Sequence, residues 1–118
     1  LEAFDDIDMM ALEAKAGALG DLCIARAEEI GLEIMSPYEA KKRGGHVSLK
    51  VKNGYPVTRA LHAKGFQSDF RTPDTIRFGF SPLYLRYVDV WDLMEALAEI
   101  LETKSWDTPE YHARSKVT

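Results

Sequence analysis

A single cysteine, Cys23, is all the thiol chemistry this 118-residue chain carries. It cannot close an internal disulfide, and with no CxxC pair and no Cys/His cluster the sequence offers no zinc framework. A reducing, cytoplasmic setting is the expectation. Long apolar runs are missing too: no stretch approaches the 18 or so residues of a membrane span, and Leu1 to Asp8 lacks the basic-then-apolar order of a signal peptide. Positive charge is in deficit, 15 basic against 19 acidic residues, so the net charge of -4 argues against a surface built to neutralise nucleic-acid or lipid phosphates. The first residue is Leu rather than Met, which raises the expectation of a fragment of something longer.

What is present is the pattern of one globular domain, 46% hydrophobic and 29% charged. Met9, Leu12, Ala16, Leu19, Cys23, Ala27 and Ile30 recur at steps of three or four and predict a helix, with Asp8 as N-cap and Gly31 as stop. Gly17 and Gly20 would weaken its middle by about 1 kcal/mol each relative to Ala, so it needs something to pack on. Leu32 to Met35 predicts a strand ended by Ser36-Pro37, and the charged, glycine-rich stretch Glu39 to Gly45 predicts a solvated loop. Val47, Leu49 and Val51 alternate with His46, Ser48 and Lys50 in a second strand. Pro56 opens a short helix through Ala63, stopped by Gly65.

Two further strands, Phe66 to Arg71 and Thr75 to Phe80, flank Thr72-Pro73-Asp74 and predict a hairpin. Keeping its apolar residues on one face sets Phe70 opposite Ile76, Ser68 opposite Phe78 and Asp69 opposite Arg77. A last helix is expected from an Asp89 N-cap, with Val90, Trp91, Met94, Leu97, Ala98 and Leu101 inward, and a polar tail beyond Lys104. The order helix-strand-strand-helix-strand-strand-helix predicts an α+β domain spanning residues 1–118, a largely antiparallel sheet covered by helices on one face. The other face, carrying His46, Ser48, Lys50, Gln67, Asp69, Arg71, Thr75 and Arg77, is polar and is where function belongs.

No catalytic triad assembles: Ser36, Ser48, Ser68 and Ser81 lack a nucleophile-elbow context. His46, His62 and His112 fall on separate elements, which speaks against a metal site. Arg43-Gly44-Gly45-His46 faintly suggests a phosphate loop, but it leads into a strand rather than a helix N-terminus, so a tight turn is the simpler reading. Arg77 carries the sharpest functional expectation. A guanidinium held on a strand, with Gly79 leaving room beside it, can take a carboxylate through two parallel hydrogen bonds. A plain cross-strand ion pair with Asp69 competes with that reading on spacing alone, and Arg71 and Arg86 have weaker claims.

The run Asp69 to Tyr84, DFRTPDTIRFGFSPLY, followed by Tyr87-Val88-Asp89-Val90-Trp91, resembles the C-terminal part of kynureninases. The likeness extends upstream through Lys42-Arg43-Gly44-Gly45-His46-Val47-Ser48 and the first helix, and downstream to Ser105-Trp106-Asp107-Thr108-Pro109-Glu110. It implies the small C-terminal domain of an aspartate-aminotransferase-like pyridoxal-phosphate enzyme, a homodimer that cleaves L-kynurenine, or its 3-hydroxy form, to the anthranilate and L-alanine. It also implies that Arg77 binds the substrate's α-carboxylate. The cofactor's lysine, its aspartate partner and its phosphate site belong to the large domain of such enzymes, so this chain is expected to hold no cofactor and no catalytic residue and to be inactive alone. Lys41, Lys42, Lys50, Lys52, Lys64 and Lys104 read as solvated charges. Without the resemblance, a stand-alone α+β ligand-binding or regulatory module would use the same polar face. Single-stranded nucleic acid fits neither the charge nor an inner-face placement of Phe66, Phe70, Phe78 and Phe80.

Overall fold

The computed structural model describes residues 6–114. Its elements are α1 (Asp6–Ile30), β1 (Glu33–Ile34), α2 (Ala40–Arg43), β2 (His46–Lys50), α3 (Gly54–Ala63), β3 (Asp69–Arg71), β4 (Thr75–Gly79), α4 (Tyr87–Thr103) and α5 (Pro109–His112). The strands form one antiparallel sheet in the order β1-β2-β4-β3. The α+β expectation holds, and so does the hairpin register, with Asp69 paired to Arg77 and Phe70 to Ile76. Two-residue periodicity explains why: Val47, Leu49, Ile76 and Phe78 are buried, while their strand neighbours His46, Ser48, Thr75 and Arg77 are not. Burying a side chain such as Phe78 contributes about 2–3 kcal/mol, a strong penalty on any slip.

Helices α1 and α3 cover the apolar face, and α4 packs against both. Leu19, Cys23 and Ala27 of α1 are fully buried, with Cys23 Sγ 3.7 Å from Met94 Sδ of α4. Among the described residues no helix is long and apolar enough to cross a membrane. The leader-pattern reading of the opening residues falls largely outside the described part of the chain.

Several local expectations need correction. Helix α1 already includes Asp8, which is therefore not its N-cap, and its Met9 end is exposed because the core reaches only from Leu19 onward. The Glu39 to Gly45 segment is not simply a solvated loop: α2 lies there, and Arg43 is buried. Residues 66–68 do not join the ladder, so the pairing of Ser68 with Phe78 is not formed and β3 begins at Asp69. Helix α4 starts two residues before Asp89, which sits at N3 and accepts from the Arg86 backbone N–H at 2.8 Å, one half of a capping box. Its buried stripe is Val90, Leu93, Met94, Leu97 and Ile100, whereas Trp91 is 45% exposed. The tail also contributes: α5 docks on α3, and Trp106 and Tyr111 pack against the core.

Candidate carboxylate-binding face

The register arranges the outer sheet face in cross-strand rows. The central row runs Ser48, Arg77, Asp69 across β2, β4 and β3. Met35 extends it toward β1, its N–H donating to the Ser48 carbonyl at 2.8 Å, and the Ser36 hydroxyl then accepts from the Ser48 N–H at 2.7 Å, closing the short edge strand. One row away lie Glu33, Lys50, Thr75 and Arg71; on the other side His46 faces Gly79. Arg77 thus stands on an interior strand, with rigid backbone on both sides.

Among the described residues its guanidinium makes one hydrogen bond, Nη2 to Asp69 Oδ2 at 3.1 Å. The pair is half in water, with side-chain exposures of 35% and 62%, where such pairs contribute about 0–1 kcal/mol. Nε is buried without an acceptor, whereas Nη1 has no partner among the described residues. The ion pair and a free donor end therefore coexist. The room expected beside Gly79 is partly taken: a Cβ there would lie 3.4 Å from the His46 ring, which lies against the glycine. A cleft of about 310 Å³ opens near Gly79 where β3 leaves the ladder, but Phe66, Phe78, Phe80, Val90 and Leu93 line it, which puts it on the apolar side of the sheet, and neither Arg77 nor Asp69 borders it.

The remaining polar candidates do not converge on chemistry. His62 Nε2 lies 2.8 Å from the Ser68 carbonyl and 3.5 Å from its hydroxyl; a nitrogen donating to that carbonyl cannot also take the hydroxyl proton. His112 pairs with Asp107 at 3.0 Å. No cluster of metal-ligating side chains occurs among the described residues. Arg86 is committed to Asp89 at 3.2 Å, and that guanidinium, with the backbone N–H, holds the Asp89 carboxyl below the usual carboxylate range. Burial pushes the Cys23 thiol up to about 12, which makes it core rather than nucleophile.

The Arg43 guanidinium is taken up inside the protein rather than offered to a phosphate. Nη1 donates to Tyr38 O at 2.7 Å, and Nη2 donates to Gly17 O at 2.9 Å and to Asp21 Oδ1 at 2.7 Å. Gly44, at φ 64°, provides the turn that sends the chain on into β2. Sequence reasoning also missed that Leu83, Tyr84, Tyr87, Val88 and Trp91 are all exposed. At Trp91 the Arg26 guanidinium carbon stacks 4.4 Å from the indole centroid while its Nη2 bonds Glu95, a contact no local sequence pattern marks.

Comparison with known proteins gives a consistent picture. Residues 12–97 match the family model described as Kynureninase C-terminal domain. A kynureninase of Burkholderia mallei (strain SAVP1) is 41% identical over 100% of this chain and 29% of its own length. One from Pseudomonas fluorescens is 40% identical, with the same coverage. The chain therefore spans 29% of the length of these curated relatives. Among solved structures, a NifS-like protein superposes with a TM-score of 0.73 at 15% identity, over 81% of this chain and 30% of that one, a likeness of fold.

Proposed function

Since the chain belongs to the kynureninase family, as the C-terminal domain, we propose that it is the substrate-recognising small domain of a longer pyridoxal-phosphate enzyme. The reaction is hydrolysis of L-kynurenine, or 3-hydroxykynurenine, to the corresponding anthranilate and L-alanine. The observation that carries this reading is Arg77: a guanidinium on an interior strand of a polar face, with Nη1 unpaired among the described residues. Two parallel N–H donors suit a substrate carboxylate. Anchoring it there fixes the amino acid's orientation and so contributes positioning, with no proton transfer by Arg77.

The chain's own residues do not suit the cofactor. Among the described residues no lysine is buried: Lys15 donates to Pro82 O, Lys64 pairs with Glu99, Lys42 pairs with Glu39, and Lys41, Lys50, Lys52 and Lys104 are exposed. None has the buried, apolar setting that an imine-forming lysine needs. We assign the pyridoxal phosphate, and the groups that hold it, to the remainder of the longer polypeptide, which works as a cytoplasmic homodimer with residues 1–118 as one small domain.

The test is made on the complete polypeptide containing this chain, loaded with pyridoxal phosphate. It should release fluorescent anthranilate from L-kynurenine, while the 118-residue chain alone should not, and borohydride reduction of the isolated chain should trap no site-specific lysine adduct. Arg77→Ala should lower kcat/KM about 100-fold, chiefly through KM, as expected for loss of a charged hydrogen-bonded anchor. Turnover by the isolated chain, or an unchanged kcat/KM in the Arg77 variant, would refute the assignment.

A further inference from the structure

We infer that Asp69 is a positioning residue for Arg77, one that orients the guanidinium for an incoming carboxylate instead of competing with it. The inference rests on the reading of Arg77 as the substrate's carboxylate anchor. Its basis is how little else holds that side chain. The buried Arg43 guanidinium is held by Gly17 O, Tyr38 O and Asp21 and has no freedom to spare. Arg77 has Asp69 alone: no other described residue accepts a hydrogen bond from it, and its Nε is walled in without a partner. Remove Asp69 and nothing among the described residues fixes the plane of the guanidinium.

Asp69 is well placed for the task. It is the first residue of β3, directly opposite Arg77, so the ladder pins its backbone. Its contact is single, Oδ2 to Nη2, which leaves the second hydrogen of Nη2 and both hydrogens of Nη1 available. A substrate carboxylate can therefore take two parallel bonds while the aspartate keeps its own. On the other flank stands Ser48, too small to reach across and occupy the donor end.

Orientation and charge are separable by substitution. Asparagine keeps an oxygen that accepts from Nη2, and alanine keeps nothing. In the complete, cofactor-loaded polypeptide, D69A should raise the KM for L-kynurenine about fivefold, the upper reach of an exposed ion pair, with kcat within about twofold. D69N should return KM to within about twofold of the parent value. In the 118-residue chain, the side-chain Nε–H NMR signal of Arg77 should keep its position in D69N and move to that of an unrestrained arginine in D69A. If KM is unchanged in both variants, Asp69 is a bystander; if both lower KM, it is a competitor; either result overturns the inference. R77A in the same series separates the two levels: a rise in KM there, with no effect of D69A, defeats only the role of Asp69, whereas no rise defeats the anchor itself.

Discussion

Replacing Gly20 by alanine should destabilise this domain even though alanine is the better helix former. Position 20 lies in the middle of α1, where Gly to Ala ordinarily stabilises by about 1 kcal/mol. Here the new Cβ would fall 2.8 Å from Arg43 Nη2 and 3.0 Å from its Nε, so the guanidinium must move. It has nowhere inexpensive to go, being 1% exposed and bonded through Nη2 to Gly17 O and Asp21. Losing the charged bond to a partly buried carbonyl costs about 2–3 kcal/mol, and the Asp21 contact adds less than about 1 because that carboxylate is mostly in water. Net of the propensity gain, G20A should be about 2 kcal/mol less stable.

The sign should reverse when Arg43 is gone. In an R43A background the obstruction is absent, and G20A should stabilise by about 1 kcal/mol, a coupling of about 3 kcal/mol between the sites. Urea unfolding of the four chains, followed by tryptophan fluorescence, reads this directly. At an m-value of about 1–2 kcal/mol/M, G20A should lower the midpoint by about 1–2 M in the parent and raise it in R43A. Stabilisation by G20A in both backgrounds would mean that Arg43 relaxes freely, and that the glycine answers to no packing constraint.

Two further outcomes follow from titrating groups. Cys23, with its thiol pushed up to about 12 by burial, should react with a thiol reagent at neutral pH only as fast as the domain opens, and at ordinary rates in denaturant; rapid labelling of the folded chain would contradict its burial. Asp89, held below its ordinary value first by the Arg86 side-chain bond, contributes stability that is complete above the unfolded carboxylate pKa and lost as pH falls through the lower folded one. D89N should therefore flatten the acid limb of the stability-pH curve while leaving its neutral and alkaline slope alone, and an acid limb parallel to the parent's would exclude the capping box as its source.

Arg43 and Arg77 mark the boundary between what the chain's pattern disclosed and what it hid. The hairpin around Arg77 was legible because a two-residue period admits only two registers and one exposes the apolar residues, so placing Asp69 opposite Arg77 needed no knowledge of the rest of the fold. Arg43 sits in a run of charges, Lys41-Lys42-Arg43, that reads as solvated on composition, and its burial depends on a gap that Gly20 leaves in a helix far upstream, while Gly17 makes room for Ala40 and offers its carbonyl. Those glycines were visible as a weakness in α1 but not as a seat for a cation, because local pattern cannot say which segment returns to fill the gap. The α4 stripe failed for a related reason. A helix packed on both α1 and α3 buries a wider arc than a single stripe, admitting Leu93 and Ile100, while Trp91 turns out to stack on Arg26. At the candidate site the residue type was likewise legible and its state was not. Asp69 and Arg77 stood as rivals on spacing, pairing or function, and the single Nη2 contact, with no described residue on Nη1, makes the two compatible.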